Sequence, residues 1–167
     1  KAIRRQRQMC IRDRQKGVWL NMARDDYQKA LKKGERSYAR YLSEGKYPYL
    51  QVLEELLSHT DVVAEEDLGI CSIPSEMIVG TFTAGRRTAF APNFMPLLDD
   101  ESEFAAKWQA LYNAHLEEGI HDPIKCYEFM NRYYVLEGNK RVSVLKFCGA
   151  PSVQGCLLYT SPSPRDR

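Results

Sequence analysis

Apolar residues recur at helical spacing in two stretches near the start of the chain. Between Asp25 and Ser43 large apolar residues return every three, four or seven positions: Tyr27, Leu31, Tyr38 and Tyr41/Leu42. Acidic residues at the beginning of this stretch suit a helix N-terminus, and Gly45 suits its end. Residues 49–58 then place four leucines on one helical face: Leu50, Leu53, Leu56 and Leu57. The pattern predicts a helical hairpin over 22–58, which we interpret as a packing appendage.

The middle of the chain alternates short apolar segments with turns. Residues 60–67 are polar and turn-like, Leu68–Ile73 predicts a strand, and Met77–Val79 is a second short apolar segment. Residues 80–87 (GTFTAGRR) form a loop with two glycines and two adjacent arginines. Prolines exclude a long helix from 89–98.

A second helix is predicted from a cap at Asp99–Ser102 to about Glu118. Its apolar face carries four residues at steps of four, three and four: Phe104, Trp108, Leu111 and His115. We expect Trp108 in the core and His115 packed rather than catalytic.

The last third contains one ambiguous segment and one clear one. Asp122-Pro123 can open a helix, or Ile124–Phe129 can be a strand, and the pattern does not separate the two. Tyr133–Leu136 predicts a strand, 138–141 a turn, and Val142–Cys148 a helix that Gly149 ends. We therefore expect an α/β (α+β) fold, a small mixed sheet with packed helices, preceded by the helical hairpin.

Two peptides near the ends of the chain can be translations of one DNA segment. Met9–Arg14 reads MCIRDR, and Cys156–Ser161 reads CLLYTS. ATG TGT ATA AGA GAC encodes MCIRD, and the opposite strand, with the next base pair, contains TGT CTC TTA TAC ACA T, which encodes CLLYT. The segment resembles the transposase adapter of short-read sequencing libraries. We expect non-native tails over 1–21 and 156–167, as in a metagenomic fragment, and a truncated domain over 59–155; two native disordered tails are the alternative.

The tails change the inference from charge. The chain has 24 basic and 22 acidic residues, but residues 1–21 and 156–167 hold nine of the basic and two of the acidic ones. The remaining 15 basic and 20 acidic residues give residues 22–155 a net charge of −5, without a broad basic surface for DNA. DNA is therefore an improbable partner for this fragment.

Composition also bears on location and metals. No apolar run approaches the length of about 20 residues that a membrane helix needs. Three widely spaced cysteines, Cys71, Cys126 and Cys148, offer no CxxC pair or Cys/His cluster for a metal. Free thiols suit a reducing compartment, so we expect a cytoplasmic protein without a membrane segment.

The sequence YYVLEGNKRVSVLKFCG, residues 133–149, carries the sharpest candidate chemistry. It combines a strand, a glycine turn and a helix. A helix N-terminus presents unpaired N–H groups and the positive end of its dipole, and glycine lets a ligand approach closely. Lys140 and Arg141 add two cations. This pattern predicts a phosphate or other anion site at Gly138, Asn139, Lys140 and Arg141.

The order of motifs from Ile73 to Gly149 resembles the N-terminal domain of ParB partition proteins and their sulfiredoxin-like relatives. Ile73-Pro74 through Ile78 lead to Arg86, Gly119–Ile124 (GIHDPI) resembles the family's G-x-x-x-P-I step, and 138–144 (GNKRVSV) resembles its G-E-R-R-x-R-A box. The resemblance implies a nucleotide or phosphate bound at the box, with Gly85 and Arg86 across the pocket. A nucleoside triphosphate with Mg²⁺ is the implied candidate cofactor.

Residues 138–144 differ from the family's G-E-R-R-x-R-A motif at positions that limit which activities the resemblance implies. Asn139 stands where ParB has glutamate and sulfiredoxins have a reactive cysteine, so sulfinate reduction is not expected. Lys140 replaces an arginine, and Ser143 replaces the last arginine, which weakens the case for CTP switching. Some relatives phosphorylate small molecules with a carboxylate base; Glu137 can act so, or be a solvated residue at the strand end.

Three other segments, EGNKRVSVLKFCGA, FAPNFMPLL and FAAKWQAL, are similar to the N-terminal region of Firmicutes proteins labelled basic-membrane-protein-type substrate-binding proteins of ABC transporters. That label would come from a later domain, a C-terminal partner that this fragment lacks.

Four functions stay open at this point. The first is a regulatory or ligand-sensing module that binds a nucleotide or phosphate. The second is a small-molecule kinase or nucleotidase with Glu137 as catalytic base, although we lean against an enzyme. The third is a DNA-binding partition or regulatory protein. The fourth is a structural module of a transport-related protein.

Overall fold

The computed structural model describes residues 2–57 and 62–162, with side chains described for 17, 18, 20–57 and 67–159. Its helices are α1 (Ala2–Ser43), α2 (Leu53–Leu57), α3 (Glu103–Glu117) and α4 (Asn139–Phe147). Its strands are β1 (Gln51–Val52), β2 (Val62–Pro74), β3 (Ile78–Thr81), β4 (Ile124–Phe129), β5 (Arg132–Glu137) and β6 (Ser152–Pro162). Two 3₁₀ helices, Ser75–Met77 and Ala84–Ala89, complete the described elements.

The six strands form one mixed sheet in the order β1-β3-β5-β4-β6-β2. β3 runs parallel to β1 and β5, and β4 runs parallel to β6. The β4–β5 and β2–β6 pairs are antiparallel. The predicted fold class, a mixed sheet with packed helices, is confirmed. β5 lies between β3 and β4, so the turn that follows it opens near the middle of the sheet.

The main core lies between the sheet and α4. Ile124, Val135 and Val142, from β4, β5 and α4, are all fully buried. A second cluster joins α1, α3 and α4 around Trp108, whose ring centroid is 5.3 Å from that of Tyr27. Both clusters include residues of α4, so packing against the sheet and against α1 and α3 fixes the position of this helix.

Several sequence predictions are confirmed within the described residues. Ser102 caps α3 by accepting a hydrogen bond from the Ala105 amide, and Trp108 is fully buried. The ambiguous segment 124–129 is a strand. β5 is one residue longer than predicted at each end. α4 runs from Asn139 to Phe147, so the predicted turn at 138–141 is wrong at 139–141, which form the start of the helix.

The second arm of the predicted hairpin is wrong in part. Only Leu53–Leu57 is helical, whereas Gln51 and Val52 pair in parallel with Gly80 and Thr81 of β3. Leu50, Val52 and Leu53 are all buried, so contacts with the sheet override the helical spacing of the leucines.

Elements cross both predicted tail boundaries. α1 continues from Ala2 through residue 21, and β6 continues past Gly155, with Leu157 buried. The domain boundaries inferred from the codon pattern stay predictions. Of the predicted turn at 60–67, residues 60 and 61 lie outside the described residues, and 62–67 belong to β2.

No helix within 2–57 and 62–162 is both long and apolar enough to cross a membrane.

Candidate functional site

The turn between β5 and α4 is set by Gly138. Its backbone has φ 105° and ψ 25°, a region that other residues enter at a cost. A Cβ at this position would also lie 2.7 Å from Ile124 Cγ2. The first hydrogen bond of α4 runs from the Val142 amide to the Gly138 carbonyl at 3.0 Å. The amides that precede Val142 therefore have no acceptor within the helix.

A cavity of about 270 Å³ lies beside this turn. Six of the seven predicted site residues line it: Arg86, Glu137, Gly138, Asn139, Lys140 and Arg141. Its other lining residues are Thr83, Phe90, Phe104, Leu111 and Leu136. The structure thus places one concavity where the sequence predicted an anion site, with an apolar wall from α3.

Lys140 is the half-buried cation of this cavity. Its Nζ lies 5.0 Å from the centroid of the Phe104 ring. Burial holds the pKa of the Lys140 ammonium below its usual value, and the nearby cations Arg86 and Lys107 lower it further. Glu103 opposes this effect. Positive charge is therefore crowded at this point.

Arg141 lines the cavity, but its hydrogen bonds go to the backbone before β4. Its Nη1 donates to the carbonyl oxygens of Asp122 at 3.1 Å and Pro123 at 2.8 Å. Its Nη2 lies 3.9 Å from Glu137 Oε1. The guanidinium links α4 to the 122–123 segment, so its main contacts are structural.

Glu137 lies exposed at the rim, between two cations. Lys125 Nζ is 3.2 Å from Glu137 Oε2, and the Glu137 side chain is 60% exposed. Such a solvated, ion-paired carboxylate lacks the burial that typically tunes a general base.

Asn139 lies beneath the cavity rather than across its mouth. It is 9% exposed, and its Nδ2 donates to Thr81 Oγ1 at 3.2 Å. The Thr81 hydroxyl donates in turn to the Val135 carbonyl at 3.1 Å, so it can only accept from Asn139. Because Asn139 bonds to Thr81 through Nδ2, its Oδ1 is left buried and without a hydrogen-bond partner among the described residues.

The predicted loop at 80–87 is wrong at both ends, because Gly80 and Thr81 belong to β3 and Ala84–Ala89 is a 3₁₀ helix. The two adjacent arginines of this 3₁₀ helix have different contacts. Arg86 is exposed and lines the cavity, whereas Arg87 pairs with Glu55 and does not line it. Gly85 is exposed and is not among the lining residues, and an added Cβ would meet nothing within 4 Å.

Some features of the site had no local signal in the sequence. Phe104 was assigned to the core face of α3, and its approach to Lys140 depends on how α3 packs against α4. The same packing explains Ser143, which is fully buried and accepts a hydrogen bond from Trp108 Nε1 at 2.9 Å. An arginine at 143 would have to enter the core.

Within the described ranges, no three His, Cys, Asp or Glu side chains gather in a group that can hold a metal ion.

Comparisons with known proteins show a structural likeness but no family. No family model matches the chain, and no curated protein matches it. The structure is similar to the crystal structure of sulfiredoxin from Arabidopsis thaliana, with a TM-score of 0.37 and 22% identity. The match covers 53% of this chain and 82% of that one. A likeness at this TM-score assigns neither a family nor an activity.

Proposed function

We propose that the cavity at the N-terminal end of α4 binds a small phosphorylated ligand, and that the module senses this ligand. A nucleotide is the candidate form. The observation that carries the proposal is the presence of Lys140 and Arg86 in the lining of one concavity beside a helix N-terminus.

The backbone of the turn supports an anion at this point. Gly138 in its left-handed conformation starts α4, whose first amides have no acceptor within the helix. The helix dipole adds positive potential in the same direction. Asn139 contributes through its amide, because its side chain is engaged with Thr81 below the cavity.

Crowded cations support a ligand with more than one negative charge. Lys140 has a lowered pKa because it is partly buried and faces Arg86 and Lys107. A bound phosphate would relieve this repulsion and favour the ammonium form. A phosphate also offers several acceptor oxygens, which match the separate donors of Lys140, Arg86 and the turn.

The size of the cavity limits how much of the ligand it encloses. Its volume of about 270 Å³ is near the lower end for small-molecule sites. This volume suits a phosphate and its nearest substituent, with the rest of a larger ligand in solvent. The apolar wall of Phe104 and Leu111 favours an organic phosphate over the bare ion.

Titration calorimetry on the whole chain tests the proposal, with inorganic phosphate, CTP and ATP as probes, each with and without Mg²⁺. Lys140→Met keeps the length of the side chain and removes the cation. We expect it to weaken binding by about tenfold or more, since hydrogen bonds to charged groups contribute about 1.5–3 kcal/mol. Lys32→Met, an exposed lysine of α1, is the matched control and should bind as the wild type does.

Two results would reject the proposal. One is the absence of heat with every probe at millimolar concentration. The other is equal affinity in the wild type and Lys140→Met. Arg141→Ala is a poorer test, because the Arg141 guanidinium holds the 122–123 backbone and its loss would also disturb the fold.

Catalysis by Glu137 remains a separate hypothesis. Its carboxylate reaches the cavity rim, but its ion pair with Lys125 and its exposure favour a solvated role. Magnesium-dependent release or transfer of phosphate that Glu137→Gln abolishes would establish an enzyme. The described residues offer no feature specific to a transport protein or a DNA-binding protein, so those two alternatives stay predictions.

A further inference from the structure

A second cavity, of about 600 Å³, lies at the other end of β5 and α4. It lies among the end of α1 with the loop after it, the start of β3, the first residue of β5 and the last turn of α4. Its lining residues are Tyr41, Lys46, Tyr47, Tyr49, Gln51, Glu76, Ile78, Val79, Pro92, Arg132 and Lys146. None of these residues lines the cavity at Gly138.

Lys146 provides a partly buried cation on this second cavity. Its Nζ donates to the Ile78 carbonyl at 2.9 Å and lies 4.9 Å from the centroid of the Phe94 ring. Among the described residues, no carboxylate lies within salt-bridge distance of it. An ammonium has three donors, so the bond to Ile78 leaves two for another acceptor. Burial lowers the pKa of Lys146 to about 8, which reflects the cost of a buried charge without a counter-ion.

Aromatic rings form the other distinctive wall. The ring centroids of Tyr47 and Tyr49 are 5.7 Å apart, and those of Tyr49 and Tyr38 are 5.4 Å apart, both in edge-to-face geometry. Tyr41 also lines the cavity, and Lys46 Nζ lies 5.8 Å from the centroid of its ring. A planar ring placed among these tyrosines would find the edge-to-face and stacked contacts that aromatic groups prefer.

The charge of the lining favours an anion. Lys46, Arg132 and Lys146 contribute three cations, against the single carboxylate of Glu76. The Lys46 charge is partly neutralised by Glu44 at 2.6 Å, which leaves Lys146 and Arg132 as the main attraction. A single negative charge is less costly to move from water to a partly apolar cavity than a phosphate dianion is.

We propose that this second cavity is a ligand site for a planar aromatic carboxylate, with the carboxylate on Lys146 and the ring among Tyr41, Tyr47 and Tyr49. The proposal does not depend on phosphate binding at Gly138. Both cavities contact α4, the first at its N-terminal end and the second at its last turn.

Three probes of similar size separate the contributions of charge and ring. Benzoate carries both, cyclohexanecarboxylate carries the charge without the aromatic ring, and benzamide carries the ring without the charge. Titration calorimetry on the whole chain should show benzoate as the tightest of the three. Equal affinity for benzamide and benzoate, or no measurable binding of benzoate at millimolar concentration, would overturn the proposal.

Two variants test the residues. Lys146→Met keeps the apolar stem over Phe94, and we expect it to weaken benzoate binding by about tenfold or more. Tyr47→Ala changes a side chain that is 49% exposed, so the fold should persist while benzoate binding weakens. Lys140→Met should leave benzoate binding unchanged. Wild-type affinity in both Lys146→Met and Tyr47→Ala would refute the assignment.

Chemical labelling gives a readout at Lys146 itself. An amine-reactive ester at pH 8 should acylate Lys146 in the free protein, and peptide mapping reports each lysine separately. Benzoate at about ten times its dissociation constant should slow this acylation by about tenfold without protecting Lys140. Equal protection at both lysines, or at neither, would contradict a site at Lys146.

Discussion

The segment Gly138–Arg141, which contains the N-cap and the start of α4, and the 3₁₀ helix Ala84–Ala89 each bring a glycine and an arginine to the region of one cavity. In the first, a Cβ on Gly138 would lie 2.7 Å from Ile124 Cγ2, and Arg141 donates to two backbone carbonyls. In the second, Gly85 has open space around it and Arg86 is exposed. The comparison teaches that a glycine and an arginine can be required for the fold in one segment and be free of structural contacts of this kind in another.

The glycines should show the largest difference. Gly138→Ala forces a Cβ into Ile124 and keeps a positive φ, so we expect it to lower the free energy of unfolding by about 3 kcal/mol. Gly85→Ala meets neither obstacle and should change stability by less than about 1 kcal/mol. Urea unfolding followed by circular dichroism measures both. Similar decreases in the free energy of unfolding for Gly138→Ala and Gly85→Ala would show that the two glycines do not differ in their structural role.

The sequence could predict the segment 133–149 better than the approach of Phe104 to Lys140, because the first depends on residues that are neighbours in the chain and the second on tertiary packing. The strand, glycine and helix of 133–149 are consecutive, so local physics defines the turn. The position of Phe104 near Lys140 depends on how α3 packs against α4, and the spacing of residues in the sequence does not predict that packing. The leucines of 49–58 show the same limit, because pairing with β3 makes residues 51 and 52 a strand.

Arg141 and Arg86 should separate stability from binding. Arg141→Met removes the hydrogen bonds to Asp122 and Pro123, which should lower the free energy of unfolding by about 2 kcal/mol. Arg86→Met removes an exposed side chain and should leave stability within about 0.5 kcal/mol, while phosphate affinity falls. Urea unfolding and phosphate calorimetry on each variant provide the two readouts.

The same two measurements would also show whether Arg141, rather than Arg86, contacts the ligand. If Arg141→Met is as stable as the wild type and loses phosphate affinity more than Arg86→Met, then Arg141 is the ligand-facing cation and its carbonyl contacts are incidental. If both variants bind phosphate normally, the two sides of the cavity do not cooperate in binding an anion.

The smallest expected effect is a change in pH dependence. Sulfate is the suitable probe, because it does not titrate above neutral pH. The Lys140 ammonium has a lowered pKa in the free protein, so sulfate affinity should fall as pH rises through that value and Lys140 loses its charge. Lys107 and Arg86 both contribute to the lowering, and Glu103 opposes it. Titrations from about pH 7 to 10 cover the range in which a lysine with a lowered pKa changes charge.

Arg86→Met should move this fall in sulfate affinity to higher pH, even though binding is weaker at every pH. Removing the Arg86 cation relieves part of the repulsion on Lys140, so its ammonium stays protonated further into the alkaline range. Lys140→Met should lose this pH dependence. A profile that stays in place in Arg86→Met, or persists in Lys140→Met, would mean that the two sides of the cavity are not electrostatically coupled through Lys140.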